Sequence, residues 1–250
     1  MKKILKTSIV PAQLKALIST RPNADWEKFR KNKSRYKNLS KQLRQDQRGL
    51  CAYCEINLLE SSSEESDFRV EHFHPKNPHT PPPNWALEWN NLLGVCHGGT
   101  QNLAIDPTRF TTKENFCCDA PKGGTILDGI ILNPLTDIPA FPAIFQYKES
   151  GEIFANEINC TEEQKQKVGA SITHLNLASK RLNNMRKEVM MGLNEAIAGL
   201  IASGHDISDA VNIVANAQFT TNSHPTFFTC VRWYLGISAE NRLQQNGYTG

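Results

Sequence analysis

Five of the seven cysteines fall between positions 51 and 118, and the same stretch carries Glu71-His72-Phe73-His74-Pro75. Cys51-Ala52-Tyr53-Cys54 is a Cys-x-x-Cys turn. Such a turn aims two thiolates at one centre and suits tetrahedral Zn2+ held by four protein ligands. Cys96 is the natural third ligand, and Cys118 or its neighbour Cys117 returns from the following loop as the fourth. A dithiol redox site is the competing chemistry, but it calls for a βαβ context. Here the turn follows a basic helical run and precedes the polar stretch 61–66. In Glu71-His72 the carboxylate is a hard oxygen donor suited to Mg2+ or Mn2+. The imidazole, with an ordinary pKa of about 6.5, can take a proton from water at neutral pH. A Glu-His pair alone is most often decoration; its place between two halves of a cysteine cluster gives it weight.

The elements that must position these groups are mainly helical. Leu14, Leu17 and Ile18, then Trp26, Phe29, Tyr36, Leu39 and Leu43, recur at helical spacing and predict helix over most of 12–49. Arg21-Pro22 breaks that run, Asn23 or Asp25 caps its second part, and the aromatic residues form its core face. Residues 50–126 are rich in turn formers, with a further Pro-rich loop over 76–84. Two alternating runs around Glu149-Ser150-Gly151 predict a hairpin over 144–154. Thr161 caps a helix whose apolar spacing continues through Val168, Leu175, Leu182 and Leu193 to Gly204. Shorter helices follow over 206–217 and 225–235. Lys180, Arg181, Arg186 and Lys187 read as a solvated basic face, His174, His205 and His224 as surface or cap residues, and Cys160 and Cys230 as buried thiols. The expected fold is α+β and mainly helical: a basic helical segment 1–49, a site-bearing core 50–126, and a hairpin plus helices over 127–250, packed as one unit.

With 39% hydrophobic and 21% charged residues, composition excludes general disorder, collagen-like repeats and a pure coiled coil. The net charge of +3 hides an asymmetry. Residues 1–50 carry 14 Lys and Arg against 3 acids, a net +11, which leaves −8 on the other 200 residues. A basic arm on an acidic body suits a polyanion partner, the bland alternative being a solvated helix face. No run of about 18 apolar residues is present to span a membrane. The basic N-terminus lacks the uninterrupted apolar core of a secretory signal, so a cytoplasmic protein is expected.

Cys51-x-x-Cys54, Glu71-His72-x-x-Pro75, Asn91-Leu92 and Cys96-His97 resemble an HNH endonuclease of the ββα-metal type. Over roughly 40–190, further matches at Trp89-x-Asn91-Leu92-Leu93, Cys118-Asp119-x-x-Lys122-Gly123 and Ile172-x-x-Leu175-Asn176-Leu177 are similar to one subfamily. That subfamily holds the nuclease subunit of Septu and of certain retron antiphage defence systems, which works with a partner ATPase related to ABC and SMC-type proteins. The resemblance implies a small ββα core with a structural zinc knuckle (Cys51, Cys54, Cys96 and Cys118) and flanking helices. It implies His72 as general base, Asn91 as the brace of the base loop, and Glu71 with His97 as ligands of a catalytic Mg2+ or Mn2+. Gly99 and Thr100 depart from the common pattern, which makes Asn102 a rival to His97 and recruits Cys118 as a zinc ligand. His74 would assist the metal or contact phosphate. The implied activity is hydrolysis of nucleic-acid phosphodiester bonds, with DNA favoured over RNA. A non-catalytic zinc module that recruits nucleic acid or a partner is the alternative.

Overall fold

The structure is a computed structural model, and it describes residues 1–58, 67–77, 83–101, 111–221 and 223–250. The polar stretch 61–66, most of the Pro-rich loop and Asn102 lie outside the described residues.

Three helices open the chain: α1 (Ala12–Thr20), α2 (Trp26–Arg30) and α3 (Lys33–Asp46). The break at Arg21-Pro22 and the Asp25 cap fall where the sequence placed them, and a second cap, Asn32, divides the following segment again. Asp25 accepts from the Lys28 amide at 2.7 Å, and Asn32 accepts from the Arg35 amide at 3.0 Å. Trp26 and Phe29 are buried and stack with centroids 5.3 Å apart, so they form the core face expected of them.

Next comes the antiparallel pair β1 (Arg69–His72) and β2 (Leu92–Val95), in the register Arg69↔Val95 through His72↔Leu92. The short helix α4 (Asp119–Lys122) follows, completing a β-β-α unit whose second strand and helix are separated by residues 96–118. Gly94 admits no side chain, since an added Cβ would lie 2.7 Å from the Phe68 ring. Its bare backbone instead takes both amide atoms of the buried Gln47, at 2.7 Å each, which fastens the end of α3 to the hairpin.

The second hairpin, β3 (Phe145–Tyr147) and β4 (Ile153–Ala155), lies within the predicted span and packs on α5 (Glu162–His174) and α8 (Phe228–Gln245). Helices α6 (Lys180–Ala202) and α7 (Ile207–Gln218) complete the C-terminal bundle. Thr161 caps α5 as expected, through a reciprocal box with Gln164. The single helix expected to run on to Gly204 is broken instead between Leu175 and Ser179, with Asn176 in the left-handed region at φ 46°. The last helix runs ten residues beyond Leu235, past a left-handed Gly236.

Two surface expectations are corrected as well. Arg181 and Arg186 are buried, and Arg186 donates to the carbonyls of Gly151 (3.1 Å) and Leu177 (2.8 Å), so it ties the second hairpin to the α5–α6 junction. His224 packs on the rings of Phe228 and Tyr248, and burial pushes it down to about 3. One apolar cluster gathers buried residues from 1–49, 50–126 and 127–250 alike, and a second joins α6, α7 and α8. Among the described residues no helix is long and apolar enough to cross a membrane.

Candidate active site and zinc centre

The Cys51–Cys54 turn is a tight loop closed by a Leu50–Asn57 bridge and by Cys51 N–H to the Ile56 carbonyl at 2.9 Å. Ala52 N–H donates to the Gly94 carbonyl at 3.0 Å, which docks the loop on β2. Cys96 leaves β2 directly beside it. Cys118 arrives at the N-terminus of α4 with φ 64°, its N–H held by the Leu175 carbonyl at 2.9 Å. The Sγ atoms of Cys51, Cys54, Cys96 and Cys118 thus lie within 4.8 Å of one another, all buried. The separations are 3.8 Å for Cys51–Cys118, 3.6 Å for Cys54–Cys96 and 3.6 Å for Cys96–Cys118. A tetrahedron with Zn–S bonds of about 2.3 Å has edges of about 3.8 Å, so the sulfurs fit zinc. Cys117 is not one of the four: its sulfur sits at the edge of the cluster, 3.5 Å from the Cys118 sulfur and 3.8 Å from the Arg181 guanidinium.

The electrostatics agree. Burial pushes the Cys51, Cys54 and Cys118 thiols up, whereas hydrogen bonds from Cys117, Cys118 and Cys51 pull Cys96 down to about 7. Four thiolates in so dry a place need a cation among them. Amide donors of Cys96 and Gly98 point at the sulfurs of Cys51 and Cys96, each at 3.4 Å, as ligand thiolates require.

On the far side of the hairpin a cleft of about 200 Å3 is lined by Glu71, His72, Pro75, Lys76, Asn77, Gly123 and Gly124. His72 ends β1 and is buried, with its ring edge-on to Trp26 at 4.8 Å. Its Nε2 lies 3.2 Å from the Ala86 carbonyl. A carbonyl only accepts, so Nε2 carries the proton and Nδ1 keeps the lone pair in the neutral ring. Burial pushes His72 down to about 4, against the Ala86 hydrogen bond, so it is neutral at physiological pH.

Asn91 holds the loop after β1 at three points. Its Oδ1 accepts from the His74 amide at 2.7 Å, and its Nδ2 donates to the carbonyls of His74 (2.9 Å) and Trp85 (2.8 Å). The His74 ring engages Asp128 at 3.0 Å and stacks near Trp85.

Two carboxylates influence each other here, Glu71 and Asp119. Glu71 accepts from the buried Lys122 ammonium at 2.7 Å, and Lys122 also donates to the His72 carbonyl at 3.1 Å. Asp119, on the first turn of α4, pairs with Arg69. Burial pushes Glu71 up to about 7, with Lys122 opposing and the like charge of Asp119 adding to the rise. Asp119 is raised by burial too, against the pull of Arg69. Paired oxygen donors that are desolvated and mutually repelling suit a hard divalent ion.

His97 lies two residues beyond Val95, at the end of β2 that pairs with Arg69. Its amide donates to Asp67 at 2.7 Å, two residues before β1 begins. The acid beside Glu71 is Asp119, directly after the zinc ligand Cys118. The sequence held the signal: Cys118-Asp119-x-x-Lys122-Gly123 supplies a cysteine with an acid beside it, which Gly99 and Thr100 lack.

A two-stranded hairpin and a short helix are brought together around a buried four-cysteine cluster that fits a zinc ion. No family profile matches the chain. A protein of Escherichia coli named "Retron Ec83 putative HNH endonuclease" is 37% identical over 195 residues, which span 69% of this chain and 73% of that protein. The chain belongs to the HNH endonuclease family.

Proposed function

We propose that this protein is a metal-dependent endonuclease that hydrolyses phosphodiester bonds of nucleic acid, DNA in the first place. The observation that carries the reading is one cleft lined by both His72, whose Nε2 is taken by the Ala86 carbonyl, and Glu71, whose carboxylate feels the like charge of Asp119. His72 takes the proton of a water aligned for attack on phosphorus, and the Ala86 carbonyl fixes the tautomer that allows it. Asn91 keeps the His72–Pro75 loop from swinging the ring away. Lys122 orients Glu71 and binds the carbonyl of His72, so acid and base move as one unit. Glu71 and Asp119 would hold a Mg2+ or Mn2+ ion, which when bound supplies Lewis acidity and neutralises charge on the phosphate and the departing 3′-oxygen. The four-sulfur zinc takes no chemical part; it replaces a core that so short a unit cannot build.

The relative's name supports a role in retron-linked defence. The partner ATPase of ABC or SMC-like type rests on the resemblance over 40–190 alone.

Nicking of supercoiled plasmid, by the chain and by any ATPase complex it forms, tests the reading. With Mg2+ or Mn2+ present, His72→Ala should cut about 100-fold or more slowly than the parent at equal zinc content. A His72→Ala protein that cuts as well as the parent would overturn the assignment. A second substrate arm, single-stranded and structured RNA, separates the two nucleic acids.

A further inference from the structure

The basic arm has a feature that helix stability does not explain. Lys33, Lys37 and Lys41 repeat at intervals of four along α3, and all three are exposed. Like charges at that spacing destabilise a helix. The first turn of α3 contains no acid and holds Lys33 and Arg35, where the helix dipole favours anions. Lys28, Arg30 and Lys31, in or directly after α2, are exposed as well. Among the described residues none of these cations has a carboxylate within 4.0 Å. Of the three acids of residues 1–50, Asp25 caps α2, Asp46 binds the Thr7 amide, and Glu27 on α2 forms no ion pair within 4.0 Å among the described residues. Local rules broken in one direction along one element, without a compensating partner, point to an external one.

The placement names that partner. Trp26, the first residue of α2, has its ring against His72, so the basic helices start at the wall of the cleft. From there α3 runs about 21 Å at about 1.5 Å per residue. Successive lysines four residues apart rise about 6 Å, a spacing that follows a phosphodiester backbone.

We infer that the exposed Lys33–Lys37–Lys41 row, with Lys28 and Lys31, is a phosphate-backbone track that holds nucleic acid outside the cleft. It rests on the nuclease reading only for its purpose; the binding it describes is independent of cleavage. The contacts go to phosphate alone, so the track holds DNA or RNA without reading sequence.

The test is binding of a fluorescent 30-base-pair DNA duplex of random sequence to the His72→Ala protein, from 50 to 300 mM KCl, with a hairpin RNA as the second arm. Lys33→Gln/Lys37→Gln/Lys41→Gln should weaken binding at least tenfold at 100 mM salt. It should also lower the slope of log K against log salt by about 2 to 3, since each lost phosphate contact removes about 0.9 on a duplex. Lys180→Gln/Lys187→Gln, which removes two exposed cations of α6, should leave both quantities as in the parent. An unchanged slope in the triple variant, or an equal loss in the α6 control, overturns the track. The two readings fail separately. A triple variant that binds as its parent while the His72 protein still nicks plasmid sinks the track alone. Normal salt-dependent binding without cleavage under any divalent ion sinks the nuclease alone. A slope change on the duplex but not on RNA fixes DNA as the occupant, and the reverse fixes RNA.

Discussion

His72 and Asp119 owe their properties to their immediate partners more than to their residue types. The Ala86 carbonyl selects one tautomer of His72, and burial keeps that ring neutral. Arg69 and Lys122 hold two desolvated acids near each other. His97, by contrast, is anchored through its amide to Asp67 beyond the other end of the ladder. Asp119→Asn should therefore lower plasmid nicking by 100-fold or more, whereas His97→Ala should stay within a few-fold of the parent when both retain zinc. Equal losses in the two variants would restore His97 as a site residue. Cys51, Cys54, Cys96 and the Glu71-His72 pair were readable from residue type and spacing alone. The choice between Cys117 and Cys118 was not, because adjacent cysteines have the same composition and differ only in backbone direction. A left-handed Cys118 and the guanidinium beside Cys117 settle it.

The hairpin and its loops show which forces a one-dimensional pattern omits. Helix starts follow from caps such as Thr161, which any sequence displays. The break after α5 does not, since Leu175 and Leu182, seven residues apart, keep a helical apolar rhythm across it. What ends the helix is long-range: the Leu175 carbonyl is taken by the Cys118 amide, 57 positions away, and the Leu177 carbonyl accepts from the Arg186 guanidinium. The zinc loop thus depends on the C-terminal helices. Gly98 closes the same circuit, as its carbonyl accepts from Cys117 N–H at 3.0 Å and its φ is 64°. A Cβ there would lie 2.2 Å from the Cys117 carbonyl oxygen. Gly98→Ala should force the 96–98 and 117–118 strands apart, so that the purified protein carries well under one zinc per chain and melts several degrees lower. Full zinc content with an unchanged melting temperature would show that the loop tolerates the displacement.

Across the molecule, chemistry is assembled from places far apart in the chain: 51 and 54, 71 and 72, 91, 96, and 118 and 119. The fold class and the order of these pieces were legible, because cysteines and the Glu-His pair mark them individually. Their mutual distances were not, since residues 97–117 push the last cysteine and its neighbouring acid out of the expected interval. The basic arm was legible as charge but not as a row, which needs the two caps that divide 12–49 into separate helices. The central claim is that one buried sulfur tetrahedron sets the Glu71–Asp119 pair beside His72. Anomalous diffraction from crystals of the His72→Ala protein soaked in Mn2+, measured at the zinc and manganese edges, tests it directly. The account predicts a zinc peak among the sulfurs of Cys51, Cys54, Cys96 and Cys118, and a separate manganese peak between the carboxylates of Glu71 and Asp119. Manganese at His97, or zinc held by Cys117 in place of Cys118, would contradict it.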